Sequence, residues 1–126
     1  MQKTFKRLGT YPIDKIMDFI DGAHKFKTID NHVIKINSQR LKLFKEKGIT
    51  CVKCKLKGEF FGLDLALHAK RPHLNLYAIK DGKEILFTKD HIKPKSKGGK
   101  NKLKNYQVMC EPCNSEKSDK YDEENK

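Results

Sequence analysis

At 126 residues the chain is about one domain long, and 37% apolar residues allow one modest core, a size that gains from a staple such as a metal. Charged residues make up 35% and the net charge is +12, which points to a polyanionic partner, nucleic acid before an anionic membrane surface. No apolar run approaches the roughly 20 residues of a spanning helix, and the start, MQKTFKRLGTYP, lacks the apolar stretch of a secretory signal, so a cytoplasmic protein is expected.

Residues 1 to about 10 read as polar and loose. Ile13, Ile16, Met17 and Ile20 then fall on one face of a helix, with Pro12 in its first turn and Gly22 at its end. A short strand is expected over residues 32–36. Ser38 can cap a second helix carrying Leu41, Leu43 and Phe44, closed by Gly48. Residues 59–68 read as a strand. Residues 73–80 and 83–88 alternate around Asp81-Gly82, a two-residue hairpin signal. DHIKPKSKGGKN reads as a loop with Pro94, Ser96 and two glycines. NYQVMC is a short strand, NSEKSDKY a final helix opened near Pro112, and residues 121–126 a polar tail.

The four cysteines form two C-x-x-C pairs, Cys51 with Cys54 and Cys110 with Cys113. Two residues between ligands let one tight turn aim two thiolates at one ion, and two such pairs predict a tetrahedral zinc site. Two disulfides or four plain buried thiols are the other readings, and disulfides are rare in a cytoplasmic protein. About 55 residues separate the pairs, a gap that an excursing hairpin can close. Four protein ligands complete the coordination, so this Zn²⁺ is structural, and any catalytic metal must sit elsewhere.

Asp90-His91 follows a strand and precedes the glycine-containing loop; Asn101, Asn105 and Asn114 come after. The run DHIKPKSKGGKN, then NYQ, then MCEPCN with a lysine three residues on, resembles the HNH endonucleases over about residues 88–120. With CVKC added it is similar to their four-cysteine zinc branch. The resemblance implies an α+β fold: a small single domain with a ββα-metal core, an inserted β-hairpin and N-terminal helices. It also implies hydrolysis of DNA phosphodiester bonds. His91 would be the general base that activates water. Asp90 and Asn114 would hold one divalent ion, Mg²⁺ or Mn²⁺, and Asn105 would brace the loop and help orient the histidine. Asn114 stands where many members have a second histidine, and its harder oxygen favours Mg²⁺. Such units resemble phage-encoded, mobile-element and restriction nucleases. The domain division that follows is residues 1–50 as an N-terminal region of unassigned role, 51–120 as the zinc-stapled nuclease core and 121–126 as tail.

The residue types fit that chemistry on their own terms. Phosphodiester hydrolysis needs an activated water and a sink for developing negative charge. A histidine, with an ordinary pKa of about 6.5, can accept a proton near neutral pH. Neighbours on a regular strand face opposite ways, so Asp90 and His91 require a bend, or must flank the phosphate from different sides. Lys93, Lys95, Lys97 and Lys117 are candidate phosphate contacts. Asn101 reads as a turn residue, and His68 and His73 as partly exposed strand histidines. Phe60 and Phe61 read as core rather than base-stacking platforms. Arginine occurs only at Arg7, Arg40 and Arg71, so attraction to the backbone outweighs base reading. The alternative function is a non-enzymatic, zinc-stabilised nucleic-acid-binding module. Either way the partner is DNA rather than a membrane, and the protein a monomer or homodimer.

Overall fold

The computed structural model describes residues 4–117; the expected polar tail, 121–126, lies outside them. The fold is a small α+β domain with three helices and seven strands among these residues. In chain order they are β1 (Phe5–Pro12), α1 (Ile13–Phe19), β2 (Phe26–Ile29), β3 (His32–Lys35), α2 (Gln39–Lys47), β4 (Phe60–Ala66), β5 (His73–Lys80), β6 (Lys83–His91), β7 (Tyr106–Cys110) and α3 (Glu111–Lys117). No helix of the described residues is long and apolar enough to cross a membrane.

Five strands form an antiparallel sheet in the order β1-β4-β5-β6-β7, and β2 and β3 make a separate hairpin. The start of the chain differs from expectation. Residues 5–10, read as loose, and Pro12, read as the first turn of a helix, belong to a strand that pairs with β4 and closes one edge of the sheet. Their polar look has a physical cause: Arg7 is charged yet packs on the sheet face between Asp64 and Glu84. Asp64 is buried there, and Asn75 (2.8 Å) and Tyr77 (2.5 Å) donate to its other oxygen.

The β5–β6 hairpin turns at Asp81 and Gly82, both at positive φ (52° and 75°), as a type I′ turn requires. Strand β6 then changes partner. Its residues 83–86 pair with β5, and its residues 87–91 pair with β7. Helix α2 starts where Ser38 accepts from the Leu41 amide at 3.2 Å and ends at Gly48, φ 96°. It packs on β6 and β7. The core runs through Ile16, Ile34, Phe44, Phe61, Leu63, Leu76, Phe87 and Tyr106, all essentially buried. Truncating Phe44, Phe61 or Phe87 to alanine costs about 3–5 kcal/mol. Phe60 lies half-buried and stacks on Tyr77 at 5.4 Å. The strand read over 59–68 stops at Ala66, and His68 sits in a turn at φ 69°.

Candidate functional site

The sulfurs show how distant sequence is brought together. Cys51 and Cys54 sit in a turn closed by Lys55, whose φ is 69°. Its amide donates to the Cys51 carbonyl at 3.0 Å. The neighbouring Val52 amide donates to the Val108 carbonyl (3.0 Å), which stitches this turn to β7. Strand β7 ends at Cys110, and Cys113 follows in the first turn of α3. All four are free thiols, and their sulfurs lie within 4.8 Å of one another, with Cys54 and Cys110 at 3.7 Å. A tetrahedron with Zn–S bonds of about 2.3 Å has S···S edges of about 3.8 Å, so the donor set fits a zinc ion.

The protonation balance of the cluster supports that fit. Burial pushes the Cys51 thiol up, but backbone N–H groups of Cys54, Cys110 and Lys53 outweigh it and hold the thiol at about 6. Burial and the neighbouring sulfurs push Cys113 up to about 12, and burial raises Cys110. The Cys51 thiolate forms readily while Cys110 and Cys113 resist a second charge, and a bound cation would remove that resistance.

The second constellation lies at the end of β6. Asp90 is 6% exposed. Its carboxylate accepts from Gln107 Nε2 (2.9 Å) on the facing strand and pairs with Lys117 Nζ (3.2 Å) on α3. The same ammonium donates to the His91 carbonyl at 3.0 Å. Asn114, also on α3, gives its amide nitrogen to Thr88 Oγ1 (2.8 Å), and the Thr88 hydroxyl donates to the Met109 carbonyl (2.8 Å). His91 turns the other way, edge-on to Tyr106 with ring centroids 5.0 Å apart, and its Nε2 meets Asn101 Oδ1 at 2.7 Å.

The strand stays paired through His91, so Asp90 and His91 do face opposite ways, and no bend rescues them. The hollow wraps the strand end instead. It has a volume of about 320 Å³, and Asp90, His91 and Asn114 all line it, with Lys89, Lys95 and Lys117. Of the four lysines singled out in the sequence, Lys95 and Lys117 reach this hollow. Lys93 lines a different recess of about 340 Å³ on the loop beside Lys100, Lys102 and Lys104, and Lys97 lines neither. Among the described residues, the four cysteines are the only group of three or more His, Cys, Asp or Glu side chains able to share an ion. Any ion at the hollow therefore has Asp90 as its sole carboxylate there.

Asn105 lies outside the hollow and holds the loop that frames it. Its Oδ1 accepts from the Lys93 amide (3.0 Å), and its Nδ2 donates to the carbonyls of Lys93 (3.1 Å) and Lys100 (2.8 Å). The loop folds so tightly that a Cβ on Gly99 would lie 1.7 Å from the Lys93 carbonyl oxygen. Only glycine fits.

Two contacts to the histidine face escape the sequence reading. Asn101, expected as a turn residue, bonds the His91 ring. Gln39, at the start of α2, accepts from Tyr106 Oη (2.9 Å) and Lys89 Nζ (3.2 Å) and donates to the Asn101 carbonyl (3.4 Å). It thus ties together the residues on both sides of His91. No motif could have flagged it, since its partners lie 50 or more positions away.

Residues 79–126 match the family model described as HNH endonuclease. No curated protein and no solved structure matches the chain.

Proposed function

We propose that this protein is a metal-dependent endonuclease that hydrolyses phosphodiester bonds in DNA, with β6, β7 and α3 as its ββα-metal core. The observation that carries the reading is the shared hollow: Asp90, His91 and Asn114 line one open cavity at the strand end, in a segment that matches the HNH endonuclease family. Asp90 and Asn114 would hold a divalent ion, Mg²⁺ or Mn²⁺, which when bound would supply positive charge for the scissile phosphate and the leaving oxygen. Asn114 uses its donor end on Thr88, which leaves the acceptor end of the amide for a cation. With a single carboxylate there, coordination positions stay open for phosphate and water.

His91 acts as the general base. With Asn101 Oδ1 accepting at Nε2, Nδ1 carries the lone pair in the neutral ring. It takes the proton of the attacking water as the new P–O bond forms and the old one breaks. The leaving oxygen takes its proton from solvent. Asn105 acts at a distance: it fixes the loop that carries Asn101. Lys95 and Lys117 add charge for the phosphate, and the four cysteines would hold a zinc ion that ties α3 and β7 to the Cys51–Cys54 turn.

The test is plasmid DNA incubated with the zinc-loaded protein and Mg²⁺ or Mn²⁺, beside His91→Ala. Relaxed or linear product from the parent and a loss of about 10²- to 10⁴-fold in the variant are expected. Undiminished cutting by the variant would refute the mechanism. Salt-sensitive binding with no cutting under either metal would leave the non-enzymatic zinc-stabilised module.

A further inference from the structure

A second recess opens where β6 leaves β5. Pairing between the two strands runs from Tyr77–Leu86 to Lys80–Lys83 and no further, because β6 joins β7 from Phe87 onward. The first half of β5, residues 73–76, is left without β6 beside it. The start of α2 enters the gap. Arg40 Nη2 donates to the Leu74 carbonyl (3.2 Å) and to the Asn75 side chain, while Gln39 reaches Lys89. A recess of about 380 Å³ remains, lined by Lys35, Ser38, Gln39, Arg40, His73 and Lys89 along with apolar neighbours.

Its charge is one-sided. No carboxylate lines it, and Lys35, Arg40 and Lys89 form no ion pair among the described residues. Arg7, across the same sheet, shows the usual arrangement, held between Asp64 and Glu84. Gathering these cations with no carboxylate among them is unfavourable, most of all for the half-buried Arg40 and Lys89. Burial lowers the Arg40 guanidinium against a smaller opposite pull from Tyr77 and Asp64, and burial together with Arg40 and Lys35 lowers His73. An entering anion offsets that cost. Lys89 lines both this recess and the hollow of the candidate active site.

We propose that this recess is a second phosphate subsite, which holds the DNA backbone away from the scissile phosphate. The choice of DNA as the polymer rests on the nuclease reading above; the phosphate chemistry rests on the recess itself. It makes the N-terminal half, through Lys35 and Arg40, part of the substrate track.

The experiment uses the zinc-loaded chain carrying His91→Ala, without Mg²⁺, and a short DNA duplex whose binding is followed across salt concentrations. Lys35→Gln with His73→Gln removes two exposed side chains, and Arg40→Gln removes the half-buried one. Each set is expected to weaken binding about tenfold at low salt and to flatten the plot of log affinity against log salt by about 0.9 for each phosphate no longer neutralised. Unfolding temperatures of the exposed pair should match the parent. With His91 intact, the exposed pair should raise KM for DNA and leave hydrolysis of bis(p-nitrophenyl) phosphate unchanged, since that small diester carries a single phosphate. Unchanged affinity and slope in both sets would overturn the proposal. So would variants that lose binding of inorganic phosphate but keep that of DNA, which would mark a site for the free ion. If the parent cuts no DNA under any metal, the nuclease reading falls, and the salt slope still decides the recess.

Discussion

The sulfur cluster and the hollow at the end of β6 differ in nearly every respect. The sulfur cluster gathers four soft ligands within 4.8 Å, and two of them are fully buried. The hollow at the end of β6 offers one carboxylate and one amide, with a histidine beside them and open space in front. A closed set of four thiolates leaves no position for a substrate, while an open set with few ligands holds its ion weakly and leaves room for chemistry. On the nuclease reading the first would hold shape and the second would react, and the two are linked in sequence because Asn114 directly follows Cys113.

That contrast is broken most severely at the sulfurs. Cys110→Ser should abolish stoichiometric zinc by metal analysis and unfold the domain by circular dichroism. Structural zinc contributes about 10–16 kcal/mol in small metal-folded units, and a domain's whole stability is about 5–15 kcal/mol. A folded, zinc-free variant would show that the cluster is dispensable. Next is the carboxylate. Asp90→Asn should lower cutting by at least about 10²-fold at fixed Mg²⁺, with the zinc content unchanged. Equal loss of zinc would mean the two places are not separable.

Metal removal sharpens the comparison from the solvent side. A mild chelator should stop cutting while the near-ultraviolet spectrum stays native, and Mg²⁺ or Mn²⁺ should restore activity. Unfolding in step with the loss of activity would assign both effects to zinc. The smallest effect is expected at Gln39→Ala, which frees Tyr106, Lys89 and Asn101 together. Its kcat should fall about tenfold, the rate equivalent of roughly 1.4 kcal/mol, because His91 is held less firmly, with KM nearly unchanged and the pH profile displaced. A change in stability alone, with kcat and pH profile intact, would reduce Gln39 to a packing role.

Much of this is legible in the sequence where the signal is local. Asp81-Gly82 announces its turn because few residues accept two successive positive φ angles. Ser38 announces a helix start by its chemistry. The cysteine pairs announce one another because metal geometry demands four ligands. Asp90, His91 and Asn114 are placed by motif, and the chain does bring them to one hollow. What escapes depends on tertiary pairing. Strand β1 is hidden because Arg7 finds its countercharges only once β4 and β6 are in place. The turn before β3, with Asp30 and Asn31 both at positive φ, carries no glycine, so it marks β2 more weakly than Asp81-Gly82 marks its own hairpin. Gln39 and Asn101 are invisible for the same reason: a polar side chain on a helix start or loop has no pattern that names its partner.

The boundary of the matched segment has a practical corollary. Residues 79–126 contain Cys110 and Cys113 but not Cys51 and Cys54, and they contain β6 but only the last residues of β5. A fragment trimmed to that segment would bring half a metal cage and leave Phe87 without the core packed around it. It should therefore be insoluble or unstructured when produced by itself. Mixing it with a separately made upstream piece in the presence of zinc is the direct way to ask whether the two parts reassemble.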